Sequence, residues 1–434
     1  MRPTDLLLLL QLLRNQWKSP EEIKSIQDRK LRRLVEHAYA NVPYYQRLFD
    51  TTGLKPADIR RVEDLPKIPA TSKRQVSRLP REEIVAKGIA PNRCRYTRSS
   101  GATGTPLSIS HRRKDLTLTN FAFLRAYMAH GFKPWQKKVE FTGSRNVPKG
   151  QSWYEYLGLM RRKVFSDADE PGLWISELQT WRPHALIGYV MMLKQLAMAI
   201  QEQQITTIRP TVVFSTSAVL DESTRQLLQS VFRARVVDIY ASEEGRCIAW
   251  ECDHCPGYHI NADLLIVEVL KKNGEPAPLG TEGEIAITNL HSFATPFIRY
   301  RLGDVGVLAK EQPTCGRGLP LLKRIEGRID DFITLTSGRK LSPRLFYYAL
   351  WSVPGITEFR LTQQRVDRLE VEIVTTKEFD HRSQELMFDN LRQLVGNDVE
   401  IIPSVVSFIL RGPSEKFQSF ISMVDKVTPL SEAK

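Results

Sequence analysis

One stretch with the residue types for phosphate chemistry is Tyr96-Thr97-Arg98-Ser99-Ser100-Gly101-Ala102-Thr103-Gly104-Thr105-Pro106-Leu107. Two glycines, a proline and a run of hydroxyl residues between apolar flanks give a turn whose backbone N–H groups and hydroxyls can converge on an anion. That is a phosphate cradle, although a solvated polar turn has the same composition. No lysine follows Gly104, so the lysine-on-phosphate arrangement of the Gly-Lys-Ser/Thr nucleotide loop is absent. A second cluster is Cys252, Cys255 and His259, spaced C-x2-C-x3-H just before a strand pattern, with Cys315 beyond the next β unit. Soft thiolates with an imidazole suit tetrahedral Zn²⁺, and four protein ligands leave no open position, so such a site is structural. Cys247 and His254 are alternative ligands, and unmetallated thiols in a packed β unit are the other reading.

These residues need elements to hold them. Ser19-Pro20-Glu21-Glu22 reads as a capped helix entry, and Ile23, Ile26, Leu31, Leu34, Val35 and Ala38 recur at helical spacing until Asn41-Val42-Pro43. Residues 51–80 are expected to wrap the surface with short turns. In the middle of the chain, 186–200 reads as a helix, 212–214 as a buried strand, 222–232 as a helix and 236–240 as another strand, an alternation that argues for a mainly parallel α/β sheet. The segments 264–270 and 283–288 read as an antiparallel pair joined through Asn273-Gly274. Beyond residue 330 the pattern becomes α, β, β, α, β, enough for a small independent domain. The expected division is 1–329 and 330–434, hinged at Asp330-Asp331.

The 434 residues exceed one ordinary core, and 42% hydrophobic with 26% charged residues is the composition of a globular protein. A net charge of +13 favours an anionic partner, be it nucleic acid, a membrane surface or a phosphate-rich small molecule. The charge is scattered in short clusters without the aromatic interleaving of an RNA-binding signature, so no nucleic-acid partner is expected. Leu6 to Leu10, with Leu12 and Leu13, follow Arg2 and imitate a signal sequence. The run is short, is interrupted by Gln11 and lacks a small-residue cleavage site, and no later stretch approaches a membrane span. A cytoplasmic protein with five reduced cysteines is the expectation.

Three further stretches complete a pattern: Tyr240-Ala241-Ser242-Glu243-Glu244-Gly245, Pro296-Phe297-Ile298-Arg299-Tyr300-Arg301-Leu302-Gly303-Asp304 and Gly327-Arg328-Ile329-Asp330-Asp331. With Asn41-Val42-Pro43-Tyr44-Tyr45 and Asp64-Leu65-Pro66-Lys67-Ile68-Pro69, their order resembles the phenylacetate-CoA ligase family and its capsule-biosynthesis relatives, among the adenylate-forming enzymes. The resemblance implies a large N-terminal α/β domain with a β subdomain and a small mobile α+β C-terminal domain. It implies that ATP and a carboxylic acid, first of all an aryl acid, give an acyl-AMP and pyrophosphate, and that the acyl group passes to CoA. An amine or carrier-protein thiol is the alternative acceptor, and a catalytically degenerate basic scaffold is the alternative of another class. A homodimer is compatible with the sequence.

By the same resemblance, Ser99, Ser100, Gly101, Thr103 and Gly104 hold the β- and γ-phosphates. Glu244 binds Mg²⁺, and Ser217, Ala218 and Val219 line the adenine with Tyr240 as a stacking ring. Asp304 and Arg328 hold the ribose, Lys416 meets the carboxylate and α-phosphate, and Asp330 is the hinge. Departures from the family pattern are Ala241, Glu243, which leaves a second carboxylate beside Glu244, and Glu415 before Lys416. At the cysteine cluster, relatives carry a Cys where Pro313 stands here, so Cys255 takes the fourth ligand position. Phe141, Tyr154, Tyr156 and Tyr189 are candidate linings of an aromatic acid pocket.

Overall fold

The computed structural model describes residues 3–89, 92, 94–98, 107–144, 147–148, 150–410 and 419–424. It forms two compact units: Met1–Leu220 with Thr224–Leu302 and Gly306–Ile325, and Asp221–Ser223 with Gly303–Val305 and Glu326–Lys434.

The first unit is built on a twelve-stranded sheet. Its parallel half runs, in sheet order, Arg162–Ser166, Lys138–Thr142, Ala185–Tyr189, Val212–Thr216 and Arg235–Ser242. Alternate residues serve opposite layers, as the period of two demands. Leu186, Val213 and Val236 pack with the helices Pro171–Trp181, Val190–Glu202 and Glu222–Phe232. Ile187, Phe214 and Val237 pack on the other face with helix Arg113–Ala129. The sheet continues through Arg246–Glu251, antiparallel to Arg235–Ser242, then Tyr258–Ile260, Leu321–Arg328, Tyr300–Leu308, Glu282–Asn289 and Leu265–Leu270. The two-residue strand Thr71–Ser72 joins Tyr300–Leu308 in parallel.

The sequence reading of 186–200 as one helix is corrected here. Ala185–Tyr189 is a central strand and the helix begins at Val190. A strand buried on both faces carries a continuous apolar run with no alternation, and that run merges with the apolar face of the helix after it. Gly188 lies within the strand, paired with Phe141, and allows the close approach of the two strands, because a Cβ there would come within 2.7 Å of Phe141 Cβ.

The helix Pro20–Asn41 starts on the expected capping box, with Glu22 N–H donating to Ser19 Oγ and Ser19 N–H to Glu22 Oε2. Its buried Leu31, Leu34, Val35 and Ala38 meet Tyr45, Phe49, Leu65 and Ile68, so the wrap over 51–80 has a core of its own.

In the second unit, two helices, Pro343–Trp351 and His381–Val395, accompany a sheet of order Glu400–Val405, Arg368–Thr375, Ile356–Arg365, Phe420–Ser422. The last strand is too short for a sequence signal. Buried Gln363 secures it: its Nε2 donates to Thr334 O, while its Oε1 accepts from Thr334 N and Ser422 Oγ.

Candidate active site

Strands Cys94–Arg98 and Ser108–Arg112 pair antiparallel from Cys94↔Arg112 to Arg98↔Ser108, making a two-stranded stem for the glycine- and hydroxyl-rich stretch. Ser99, Ser100, Gly101, Thr103 and Gly104 themselves lie outside the described residues, as does Lys416. The stem is fixed from several sides. Arg81 Nη2 donates to Tyr96 OH at 2.7 Å, Ser110 N–H donates to Thr295 Oγ1, and His111 Nε2 lies 2.9 Å from Thr97 Oγ1. Burial, reinforced by the charge of Arg246, pushes His111 down to about 4, so the ring brings no positive charge to the stem at neutral pH.

The turn from Arg235–Ser242 into Arg246–Glu251 separates the two adjacent carboxylates. Glu243 faces outward in an ion pair with Arg246 at 2.7 Å. Glu244 is 7% exposed, with Tyr300 OH donating to its Oε1 at 3.3 Å and Asn289 Nδ2 holding its main-chain carbonyl at 2.9 Å. Gly245 permits this turn, since a Cβ there would lie 2.6 Å from Ile248 Cγ1. Burial raises the Glu244 carboxyl above its ordinary value, and the charge of Lys73 only partly opposes the shift. A carboxylate withdrawn from water with so little compensating charge suits a hard divalent cation. Tyr300 and Asn289 were not singled out from the sequence. Tyr300 stood inside a recognised motif, but nothing local marked its hydroxyl as a partner of residue 244.

Ser217 and Ala218 follow the strand Val212–Thr216, and Tyr240 lies near the end of the adjacent parallel strand. Carboxyl ends of neighbouring parallel strands are where open α/β sheets bind ligands. Ser217 holds φ at +81°, a backbone conformation that non-glycine residues rarely keep outside functional sites. Tyr240 is half-buried against the core, and the register shifts just after it.

Within the second unit, Arg328 Nη1 lies 3.8 Å from Asp304 Oδ1. Gly303 makes the approach feasible: its φ is +78°, and a Cβ would sit 3.1 Å from Arg328 Nη2. Asp330 lies in the short turn Ile329–Asp331. Tyr347 OH donates to Ser419 Oγ, which anchors the first described residue after Lys416.

Cys252, Cys255, His259 and Cys315 come together, their donor atoms all within 4.8 Å of one another. Tetrahedral Zn–S bonds of ~2.3 Å place sulfurs roughly 3.8 Å apart, so the cluster needs little contraction to close on an ion. His259 Nδ1 faces Leu319 O at 3.3 Å and Nε2 faces Cys315 Sγ at 3.3 Å, the orientation that metal-binding imidazoles take from an outer carbonyl. Burial pushes the Cys252 thiol up to about 12. Cys315 sits below its usual value despite burial, because the Arg317 backbone N–H and guanidinium favour the thiolate. The two alternates stay apart: Cys247 is buried against Asn261 Nδ2, and His254 contributes its main-chain N–H to Cys252 Sγ.

The aromatic set does not line one pocket. Phe141 is core, stacked edge-on against Trp174, whereas Tyr156 is exposed.

Sheet, two-unit division and small α+β unit together are the architecture of the adenylate-forming CoA ligases. A 2-hydroxyisobutyryl-CoA ligase solved in the postadenylation state with 2-HIB-AMP superposes with a TM-score of 0.80 at 19% identity, covering 95% of this chain and 92% of that one. In sequence the chain is similar to phenylacetate-coenzyme A ligases and to Protein CapK. It is 28% identical to the phenylacetate-coenzyme A ligase of Thermus thermophilus over 86% of each chain. It is 22% identical to Protein CapK of Staphylococcus aureus over 83% of this chain and 80% of that one. Residues 333–423 match the family model of the CapK C-terminal domain.

Proposed function

We propose that this protein is an ATP-dependent ligase that joins a carboxylic acid, in the first instance an aryl acid, to AMP and then to CoA. The carrying observation is Glu244, a buried carboxylate held by Tyr300 and short of compensating charge, in a chain whose relatedness to phenylacetate-coenzyme A ligases spans both units. In the reaction proposed, a carboxylate oxygen attacks the α-phosphorus and the bond to the bridging oxygen of pyrophosphate breaks. The CoA sulfur then attacks the acyl carbon and AMP leaves.

Carboxylate and triphosphate repel, so the residues assigned to this step supply opposite charge and dipoles. Ser99, Ser100, Gly101, Thr103 and Gly104 orient the terminal phosphates, and Lys416 meets the reacting carboxylate and α-phosphate. Asp304 accepts from the ribose hydroxyls beside Arg328, while Ser217, Ala218 and Tyr240 receive the adenine. Glu244 would hold Mg²⁺, which neutralises phosphate charge when bound. Cys252, Cys255, His259 and Cys315 would hold a structural Zn²⁺. We assign residues 330–434 to the mobile lid, with Asp330 as its hinge.

Acid-dependent ATP–pyrophosphate exchange across a panel of aryl, fatty and amino acids tests the first half-reaction. One acid should stimulate exchange, and Lys416→Ala should reduce it by about 100-fold or more. Adding CoA or an amine then identifies the acceptor by product mass. Folded protein that binds no ATP would overturn the proposal.

A further inference from the structure

The loops leading into the edge strand Arg162–Ser166 and its neighbour Lys138–Thr142 carry apolar and aromatic side chains out into solvent. Tyr156 is 76% exposed, Leu157 69%, Trp135 60% and Trp153 56%. The two loops are tied together, because Met160 N–H donates to Pro134 O at 2.5 Å. They therefore present one surface rather than scattered side chains, and exposed apolar surface of this density marks an interaction site.

Its charge is one-sided. Residues 133–140 and 150–163 contain six basic side chains (Lys133, Lys137, Lys138, Arg161, Arg162, Lys163) and two acidic ones (Glu140, Glu155). Both acids are engaged, Glu140 by Lys138 and Arg162 and Glu155 by Arg162, while Lys138 is itself buried and Lys163 pairs with Glu177, so the excess positive charge rests on Lys133, Lys137 and Arg161. Lys133 sits over the ring of exposed Trp135, so cation and aromatic face outward together. A two-fold dimer through this surface would set positive charge against positive charge. Tryptophan and tyrosine beside lysine and arginine are instead the composition that settles at a bilayer's headgroup level, the rings at the interface and the cations on anionic lipid.

We propose that this surface docks the protein onto an anionic phospholipid membrane. Docking here is peripheral, and it is independent of the reaction proposed above. Full-length protein is sedimented with vesicles of phosphatidylcholine alone or of phosphatidylcholine containing phosphatidylglycerol. Wild type should partition onto the anionic vesicles only, be released by salt, and show a blue shift in tryptophan emission. Trp153→Ser/Tyr156→Ser/Leu157→Ser should lower partitioning at least tenfold with an unchanged melting temperature. Lys133→Glu should lower it about fivefold or more, the factor for one basic group near an anionic leaflet. Absence of binding, equal binding to both vesicle types or binding unaffected by these variants overturns the proposal. So does a concentration-dependent dimer that the triple variant dissociates, which would assign the surface to a second copy.

Discussion

Replacing Glu244 by Gln tests whether its carboxylate is kept for cation binding at a cost to the fold. Gln preserves the volume and the oxygen that accepts from Tyr300 OH, and removes only the charge. Because burial raises the carboxyl above its ordinary 4.5, the folded state holds its proton more tightly than the unfolded state does. The stability this gives is complete below pH 4.5 and is lost as pH rises through the folded value, so at neutral pH the ionised group works against folding. The Gln variant should therefore be more stable than wild type at neutral pH, by about 1 kcal/mol, the order commonly gained by a single stabilising substitution. Its stability advantage should shrink on acidification. Activity should move the other way: bound-metal charge stabilisation is worth several kcal/mol, so acid-dependent exchange should fall by about 100-fold or more and require higher Mg²⁺. Urea unfolding across pH, with and without Mg²⁺, and exchange kinetics at varied Mg²⁺ provide the two readouts. A variant that is less stable at neutral pH yet exchanges normally would refute the reasoning, because it would make Glu244 a structural carboxylate.

Arg125 and Asp263 are both fully buried and paired at 2.8 Å, so Arg125→Met should cost about 3–5 kcal/mol by stranding the carboxylate. Adding Asp263→Leu should recover part of that loss in urea unfolding, and a double variant worse than the sum of the singles would show the pair is not the unit. Metal analysis of purified protein should find one zinc per chain, and Cys252→Ala should abolish it while lowering stability by about 4 kcal/mol, the class of metal loss. His291 is buried between Leu264 O and Thr119 Oγ1 and is held down to about 4 by burial. The unfolded ring titrates near 6.5, so its contribution is full above that pH and is lost as pH falls toward 4. That amounts to about 3 kcal/mol at most, and unfolding of His291→Gln should lack this acid limb.

Much of the fold was legible because local rules and tertiary needs agree in it. The Ser19 capping box, the Glu222–Phe232 helix and the antiparallel pair Leu265–Leu270 with Glu282–Asn289 all lie where the pattern puts them. Ala185–Tyr189 was not legible, because its identity as a strand comes from parallel neighbours on both sides. At the candidate site, the two carboxylates at 243 and 244 were indistinguishable by type. Only the Arg246 ion pair on one and the enclosure by Tyr300 and Asn289 on the other tell them apart.

The quoted motifs divide into residues suited to chemistry and residues that hold distant segments together. Tyr45 OH donates to Pro296 O at 3.2 Å and accepts Ile298 N–H at 2.9 Å, so the Val42-Pro43-Tyr44-Tyr45 stretch is a latch on the strand that supplies Tyr300. Arg299 binds Glu268 and the carbonyls of Ile68 and Gly274, which ties the Pro66-to-Pro69 stretch to the β unit. Immediately after it, Tyr300 turns to Glu244. Arg299 stands just before the strand Tyr300–Leu308 with φ at +46°, and this left-handed bend sends its side chain to the anchoring groups while Tyr300, the first strand residue, addresses the site. The parallel pairing Thr71↔Tyr300 and Ser72↔Arg301 fixes that register. A slip of one residue would turn Tyr300 to the other face of the sheet and away from Glu244. Spacing in this motif therefore sets both the anchoring of distant segments by Arg299 and the contact of Tyr300 with Glu244, through the backbone bend and the register that follows it.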